Sequence, residues 1–339
     1  MKRRSTILFT CSALLVVVLF VADILIGSVA LPLGEVVDTL FGGGDEVTRN
    51  IVLNFRLPKA VTALLVGASL SAVGLQMQTL FRNPMAGPYV LGVSSGATLG
   101  VALFLLGMPL LGISLGNSAV SSLGVVGAAW IGSALIMSVV LAVTARIKDI
   151  MVVLILGMMF GSAATAVVEI LQYLSPEGAL KSFVVWTMGS LGSVSREQLL
   201  IMAPVMIVGL VLSVSLIKPL NAMLLGENYA STMGINIRRT RLLISMITVM
   251  FAGTVTAFCG PIGFIGLAVP HIARMIFREA DHRVMMPASM LLGSLIMLFC
   301  DVASQLPASD MTLPINTVTA LIGIPVVVVV IVRNHKSFS

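Results

Sequence analysis

Charge is what this sequence lacks. Asp, Glu, Lys and Arg make up 10% of its 339 residues, whereas a soluble domain carries about a quarter. Hydrophobic residues reach 58% and the mean hydropathy is +1.09. An ordinary soluble enzyme or binding domain is excluded. Cysteine is scarce as well. Cys11, Cys259 and Cys300 have no metal-ligand spacing and read as small hydrophobes within or beside apolar runs. No Gly-Lys dipeptide occurs, so the chain has no G-x-x-x-x-G-K-[ST] phosphate loop. H-E-x-x-H is missing, and histidines 271, 282 and 335 do not form a ligand set by spacing. The sequence therefore predicts no catalytic residue, no metal site and no cofactor bound by this chain. The net charge of +6 reads as loop topology rather than as a nucleic-acid surface.

Long charge-free runs are what the sequence has instead. Residues 83–145, 242–273 and 311–332 contain no Asp, Glu, Lys or Arg. A membrane-spanning helix needs roughly 20 apolar residues. The runs are continuous rather than alternating, which excludes barrel strands. An all-α polytopic membrane protein of about ten spans is expected. The spans read as 6–30, 58–80, 88–107, 119–143, 150–173, 198–217, 241–259, 264–278, 285–304 and 313–332. The first could pass for a signal peptide, with a basic start and a small-residue end at Ser28, Val29 and Ala30. Its apolar run is long enough to cross, and it reads as a retained helix. Residues 183–191 are apolar but too short to cross, and read as an external re-entrant or interfacial helix.

Basic residues orient the chain. With an even span count both termini fall on the cytoplasmic side, and only residues 49, 56, 59, 181 and 196 of the Lys and Arg set fall outside.

Small residues should hold the bundle together, because lipid supplies no hydrophobic drive between helices. Gly92, Gly96 and Gly100 share one helix face, and Gly157 and Gly161 repeat the device. NPMAGPYVLG and CGPIGFIGLAVPHIAR read as broken helices, a weak sign of an inverted repeat. Ionisable residues at membrane depth are Asp23, Glu169, His271 and Asp301. Three lie near span ends and read as structural hydrogen-bonding groups. Glu169 is deeper and is the pathway candidate.

One polar segment interrupts this pattern: GENYASTMGINIRRTR, residues 226–241. Residues 219–225 could form one short helix, Gly226 a bend, and 227–233 a second helix ended by Gly234. Its acid, Glu227, sits at the helix start, where the dipole favours it.

The chain resembles the membrane-spanning permease subunit of bacterial ABC importers for vitamin B12, iron–siderophores and haem. Four stretches carry the resemblance, in order: RLPKAVTALLVGASLSAVGLQMQTLFRNPMAGPYVLGVSSGA, GENYASTMGINIRRTR, GPIGFIGLAVPHIARMIFREADHR and LPINTVTALIGIPV. It implies one permease domain over 1–339 in the bacterial cytoplasmic membrane, surrounded by lipid. It further implies a homodimer around a central path, two ATP-binding cassette subunits below that use Mg-ATP, and an external substrate-binding protein above. Residues 219–235 would be cytoplasmic coupling helices entering the ATPase subunit. The coupling residues would be Gly226, Glu227, Asn228, Ala230, Ser231 and Gly234, with Asn228, Ala230 and Ser231 as the small, shallow exposed face. Arg56 and Lys59 would hold acids of the binding protein. Where relatives commonly carry a further basic residue, this chain has Ser304 and Gln305. Asp149, Ile150 and Met151 would mark the cytoplasmic gate, with Ile150 and Met151 as an apolar plug. The rival expectation is an ion-coupled secondary transporter that uses Glu169.

Overall fold

A computed structural model describes residues 2–27, 31–40, 42–113, 118–146, 150–305 and 312–335. Among these residues there is no strand, only an isolated bridge between Gln305 and Thr312. The helices run α1 (Lys2–Leu25), α2 (Leu33–Leu40), α3 (Glu46–Asn50), α4 (Leu57–Leu80), α5 (Val93–Ala102), α6 (Met108–Leu110), α7 (Ser118–Arg146) and α8 (Ile150–Leu174). They continue as α9 (Glu177–Thr187), α10 (Arg196–Ser215), α11 (Ile217–Leu224), α12 (Glu227–Thr232), α13 (Ile237–Cys259), α14 (Ile265–Phe277), α15 (His282–Ser304) and α16 (Ile315–His335). π-helical turns at Ile51–Arg56 and Leu103–Gly107 connect α3 to α4 and α5 to α6. Eight helices are long and apolar enough to cross a bilayer, and Ile265–Phe277 and Ile315–Val329 are shorter apolar helices. With the short helices counted, the ten expected spans are all present.

Several boundaries shift by a few residues, and two segments shift for a clear backbone reason. The span expected from residue 88 begins at Val93, because Pro84, Gly87 and Pro88 hold 83–92 in turns and Gly92 sits at φ +74°. The external segment expected over 183–191 is a helix that starts at Glu177 and stops at Thr187. Gly189, at φ +78°, turns the chain away.

Local rules fix the helix ends. Ser195 Oγ accepts from the Gln198 N–H while the Gln198 side chain accepts from the Ser195 N–H, a complete capping box at α10. Asn236 caps α13 through the Arg239 N–H, and Asp281 caps α15 through the Arg283 N–H.

The central helix is α4. Its membrane window is 83% buried, against 17% for α1, which lies at the rim with Leu14, Val17 and Val18 facing outward. Helix α4 packs on α10, α13, α14 and α15. Glycine makes this closeness feasible. Gly74 meets the backbone of Gly266, and Gly67 meets that of Gly293, so a side chain at any of these would collide with a neighbouring helix. The expected glycine stripe behaves the same way. Gly96 and Gly100 press on Gly132 and Ala128 of α7, and Gly92 meets Gly157 and Gly161 of α8. Interhelical hydrogen bonds add to the packing: Trp130 Nε1 donates to Thr254 Oγ1 at 3.0 Å, and Ser294 Oγ to the Leu64 carbonyl at 2.8 Å. Of the cysteines, Cys259 and Cys300 are buried as expected, but Cys11 is exposed on α1.

Candidate functional site

Three polar regions stand out in this apolar frame. The first lies where α4, α11, α12, α14 and α15 meet. Gly226 sits at φ +119° between α11 and α12, a backbone angle that side-chain-bearing residues rarely adopt. Gly234, at φ +83°, ends the unit. Glu227 accepts from Arg241 Nη2 at 2.8 Å, which ties α12 to α13. Asn228 and Ser231 are exposed, as the sequence suggested. Ala230 is not. It is 0% exposed and packs inward, so the outer face of α12 is formed by its neighbours, including Tyr229.

Asn221 anchors α11 to the membrane helices. Its Oδ1 accepts from the His282 N–H at 2.8 Å and from His282 Nδ1 at 2.9 Å. Its Nδ2 donates to Asp281 Oδ1 at 2.6 Å. The Arg283 N–H and then the Asn221 amide hold Asp281 below the usual carboxylate range. His282 Nε2 lies 2.9 Å from Thr79 Oγ1 at the end of α4. A continuous hydrogen-bonded line thus runs from α11 through α15 into α4.

The second region is at the opposite end of the bundle. Lys59 Nζ lies 3.2 Å from Asp23 Oδ1 and 2.9 Å from Asp301 Oδ2. Gln305 Nε2 donates to Asp23 Oδ1 at 3.0 Å. Asp23 Oδ2 has no hydrogen-bond partner among the described residues. Arg56 Nη1 donates to the carbonyls of Ile24 and Leu25 at 2.8 and 2.9 Å. The family resemblance gives Arg56 and Lys59 to docking of the binding protein on the external face. Their exposure is instead 7% for Arg56 and 14% for the Lys59 side chain. They are held inward because the buried carboxylates and the end of α1 need their donors. Both line a cavity of about 610 Å3 with Phe55, Leu191 and Ile315.

The third region joins the two broken segments. The Tyr89 and Phe264 rings stack with centroids 6.4 Å apart. Phe264 is at φ +66°, a strained angle for a bulky residue. His271 Nε2 lies 2.7 Å from the Pro84 carbonyl, so the first segment runs antiparallel beside α14. Beside this junction Tyr89, Ser95, Thr98, Thr165, Glu169 and Gln172 line a groove of about 250 Å3. Glu169 is exposed on α8 and shares this groove with several hydroxyl side chains.

Asp149 lies outside the described residues. Ile150 and Met151 open α8, and their side chains lie outside the description too. Among the described residues no group of three or more His, Cys, Asp or Glu side chains could hold a metal. The string Gly92-Val93-Ser94-Ser95-Gly96 has the spacing of a G-x-S-x-G nucleophile elbow. Here it opens a helix after a turn rather than following a strand, and no described hydrogen bond joins Ser94 to a histidine.

These features define a class: a multi-pass α-helical membrane protein with paired broken helices and a polar anchor at one end. The chain belongs to the FecCD transport family, whose model matches residues 14–333. It is 33% identical to the hemin transport system permease protein HmuU of Yersinia pestis over 296 residues, 87% of each chain. It is 35% identical to the vitamin B12 import system permease protein BtuC of Klebsiella pneumoniae over 286 residues, 84% of this chain and 83% of that one. A solved structure assigned to the metal-chelate type of ABC transporter, in an inward-facing conformation, matches with TM-score 0.82 and 30% identity. That match covers 97% of this chain and 99% of the other. The chain is therefore an ABC transporter permease, a membrane component and not itself the ATPase.

Proposed function

We propose that two copies of this chain form the membrane path of an ATP-driven importer for a large chelate: an iron–siderophore, haem or a corrinoid. Hemin, vitamin B12 and metal chelates are named for its relatives and solved neighbour. Two ATP-hydrolysing subunits act from the cytoplasmic side, where both termini lie, and a substrate-binding protein delivers from outside. The observation that carries the reading is the α11–α12 unit. Two short helices hinged at Gly226 and anchored by Asn221 to α15 and α4 suit a lever moved by another subunit. Helix α12 offers Asn228 and Ser231 to that subunit, with Ala230 packing the unit from within. Asn221→Ala is the test. It should leave the ATPase subunit bound but cut substrate moved per ATP. Normal stoichiometry would remove α11 from the coupling route.

Glu169 is the pathway residue in this reading, supported by the hydroxyl-lined groove it shares beside the paired breaks. Asp149, Ile150 and Met151 form the cytoplasmic seal. Ile150→Ser with Met151→Ser should raise passive efflux from liposomes, because hydroxyls keep a constriction wet. Unchanged efflux would put the seal elsewhere. Docking of the binding protein falls to the exposed outer cations Arg49, Lys181 and Arg196, since Arg56 and Lys59 are engaged internally.

A further inference from the structure

The joint between α11 and α12 borders a cavity of about 340 Å3 that the coupling reading does not use. This size lies within the range of ligand pockets, about 300–1,000 Å3. One wall is cationic. Arg82 ends the turn after α4 and Arg274 projects from α14. Among the described residues neither guanidinium has a carboxylate partner. Arg274 donates only to a neutral group, Gln78 Oε1, at 2.6 Å. Gln78 is itself fixed, because its Nε2 donates to the Leu267 carbonyl at 3.2 Å. Arg274 is thus held in place with donors left over. Arg82 sits at φ +46°, and its Nη2 lies 3.2 Å from where a side chain at Gly226 would begin. An apolar wall is formed by Met223, Leu224 and Leu225, and the two leucines are exposed.

A partly buried guanidinium without a counter-charge is costly, and a small anion would remove that cost. Guanidinium and phosphate match bidentately. Basic pockets between membrane helices on the cytoplasmic side suit anionic headgroups. The apolar wall suits the chain that follows such a headgroup. We propose that this cavity binds the phosphate of an anionic phospholipid from the cytoplasmic leaflet, clamping the α11–α12 joint to α4 and α14. The site does not involve the transported substrate; its place in the cytoplasmic leaflet rests on the orientation proposed above, and lipid retention is read on the permease alone.

The experiment compares lipid retained by the purified permease after exchange into mixed phosphatidylglycerol and phosphatidylcholine, read by native mass spectrometry. Arg82→Gln and Arg274→Gln should each lower retained phosphatidylglycerol roughly fivefold, the weight of one basic residue at an anionic surface. Phosphatidylcholine should not change. Arg274→Lys should keep part of the binding, because it keeps the charge and loses the bidentate fork. Arg82 is on the rim, so Arg82→Gln keeps the test valid where an Arg274 variant folds poorly. A second arm adds inorganic phosphate to lipid-stripped protein at constant ionic strength. Thermal protection by phosphate with no lipid retained would overturn the proposal and give the site to the free ion. Equal phosphatidylglycerol retention in all variants would overturn it as well. So would unchanged retention with weaker ATPase-subunit binding, which would give the guanidiniums to a partner carboxylate.

Discussion

The ammonium of Lys59 lies 2.9 Å from Asp301 Oδ2, which pins the start of α4 to the end of α15. Asp23 at the end of α1 completes the cluster, so three distant segments share one cation. At the other end of the bundle Arg4 Nη2 donates to the Ile276 carbonyl. The two contacts fix α1 antiparallel to α14 and parallel to α15.

Lys59→Met should destabilise the permease by about 3–5 kcal/mol, because it leaves two buried carboxylates without their cation. Thermal unfolding in detergent measures this. Adding Asp23→Asn and Asp301→Asn should recover much of the loss. A melt for Lys59→Met equal to that of the parent would mean that the cluster carries no structural weight.

Gly226→Ala forces a side chain into a backbone angle of +119° and towards Arg82 Nη2. Strain of this kind costs about 1–3 kcal/mol. Ala230→Leu overpacks a fully buried site at a similar cost. Both should sharply reduce uptake while the permease still assembles with its partners. Full uptake by either variant in proteoliposomes would show that the geometry of the α11–α12 unit is unimportant to transport.

Charge reversal at Arg49, Lys181 and Arg196 together should weaken binding-protein association and flatten its salt dependence. Each exposed pair is worth at most about 1 kcal/mol, so together they act mainly on orientation and on-rate. Surface-plasmon titration across ionic strength checks this. Identical salt slopes for parent and variant would place docking on other residues.

Glu169→Gln should slow uptake several-fold with ATPase stimulation intact, because the groove loses its charge but keeps its shape. A substrate carrying positive charge should lose most. Parallel loss of ATPase stimulation would instead indicate a structural role for α8.

Much of this fold is legible in the sequence, because a bilayer demands long charge-free helices and no soluble domain supplies them. Gly226 and Gly234 could be read as bends because few other residues accept their backbone angles. The fate of Arg56 and Lys59 was not legible. Their partners are the carboxylates of Asp23 and Asp301 and the carbonyls of Ile24 and Leu25, and no local pattern links a basic residue to groups that far away. Ala230 misled for a different reason. A helix of six residues is too short for periodicity to say which face is inward. The stack of Tyr89 on Phe264 was equally hidden, since proline and glycine announce a break but not what it meets.

If ATP drives the cargo through α11 and α12, uptake must follow the nucleotide and not an ion gradient. The most direct measurement is uptake of radiolabelled haem, ferric siderophore and cobalamin into proteoliposomes, with the binding protein outside. Each is run with and without the cognate ATP-hydrolysing subunit, and with ionophores that collapse every ion gradient. Uptake of one of these chelates should need the ATPase subunit and internal ATP, persist under ionophores, and fall in Asn221→Ala. Uptake that proceeds without the ATPase subunit and stops when the gradient collapses would contradict ATP-driven transport, and would favour an ion-coupled carrier built on Glu169.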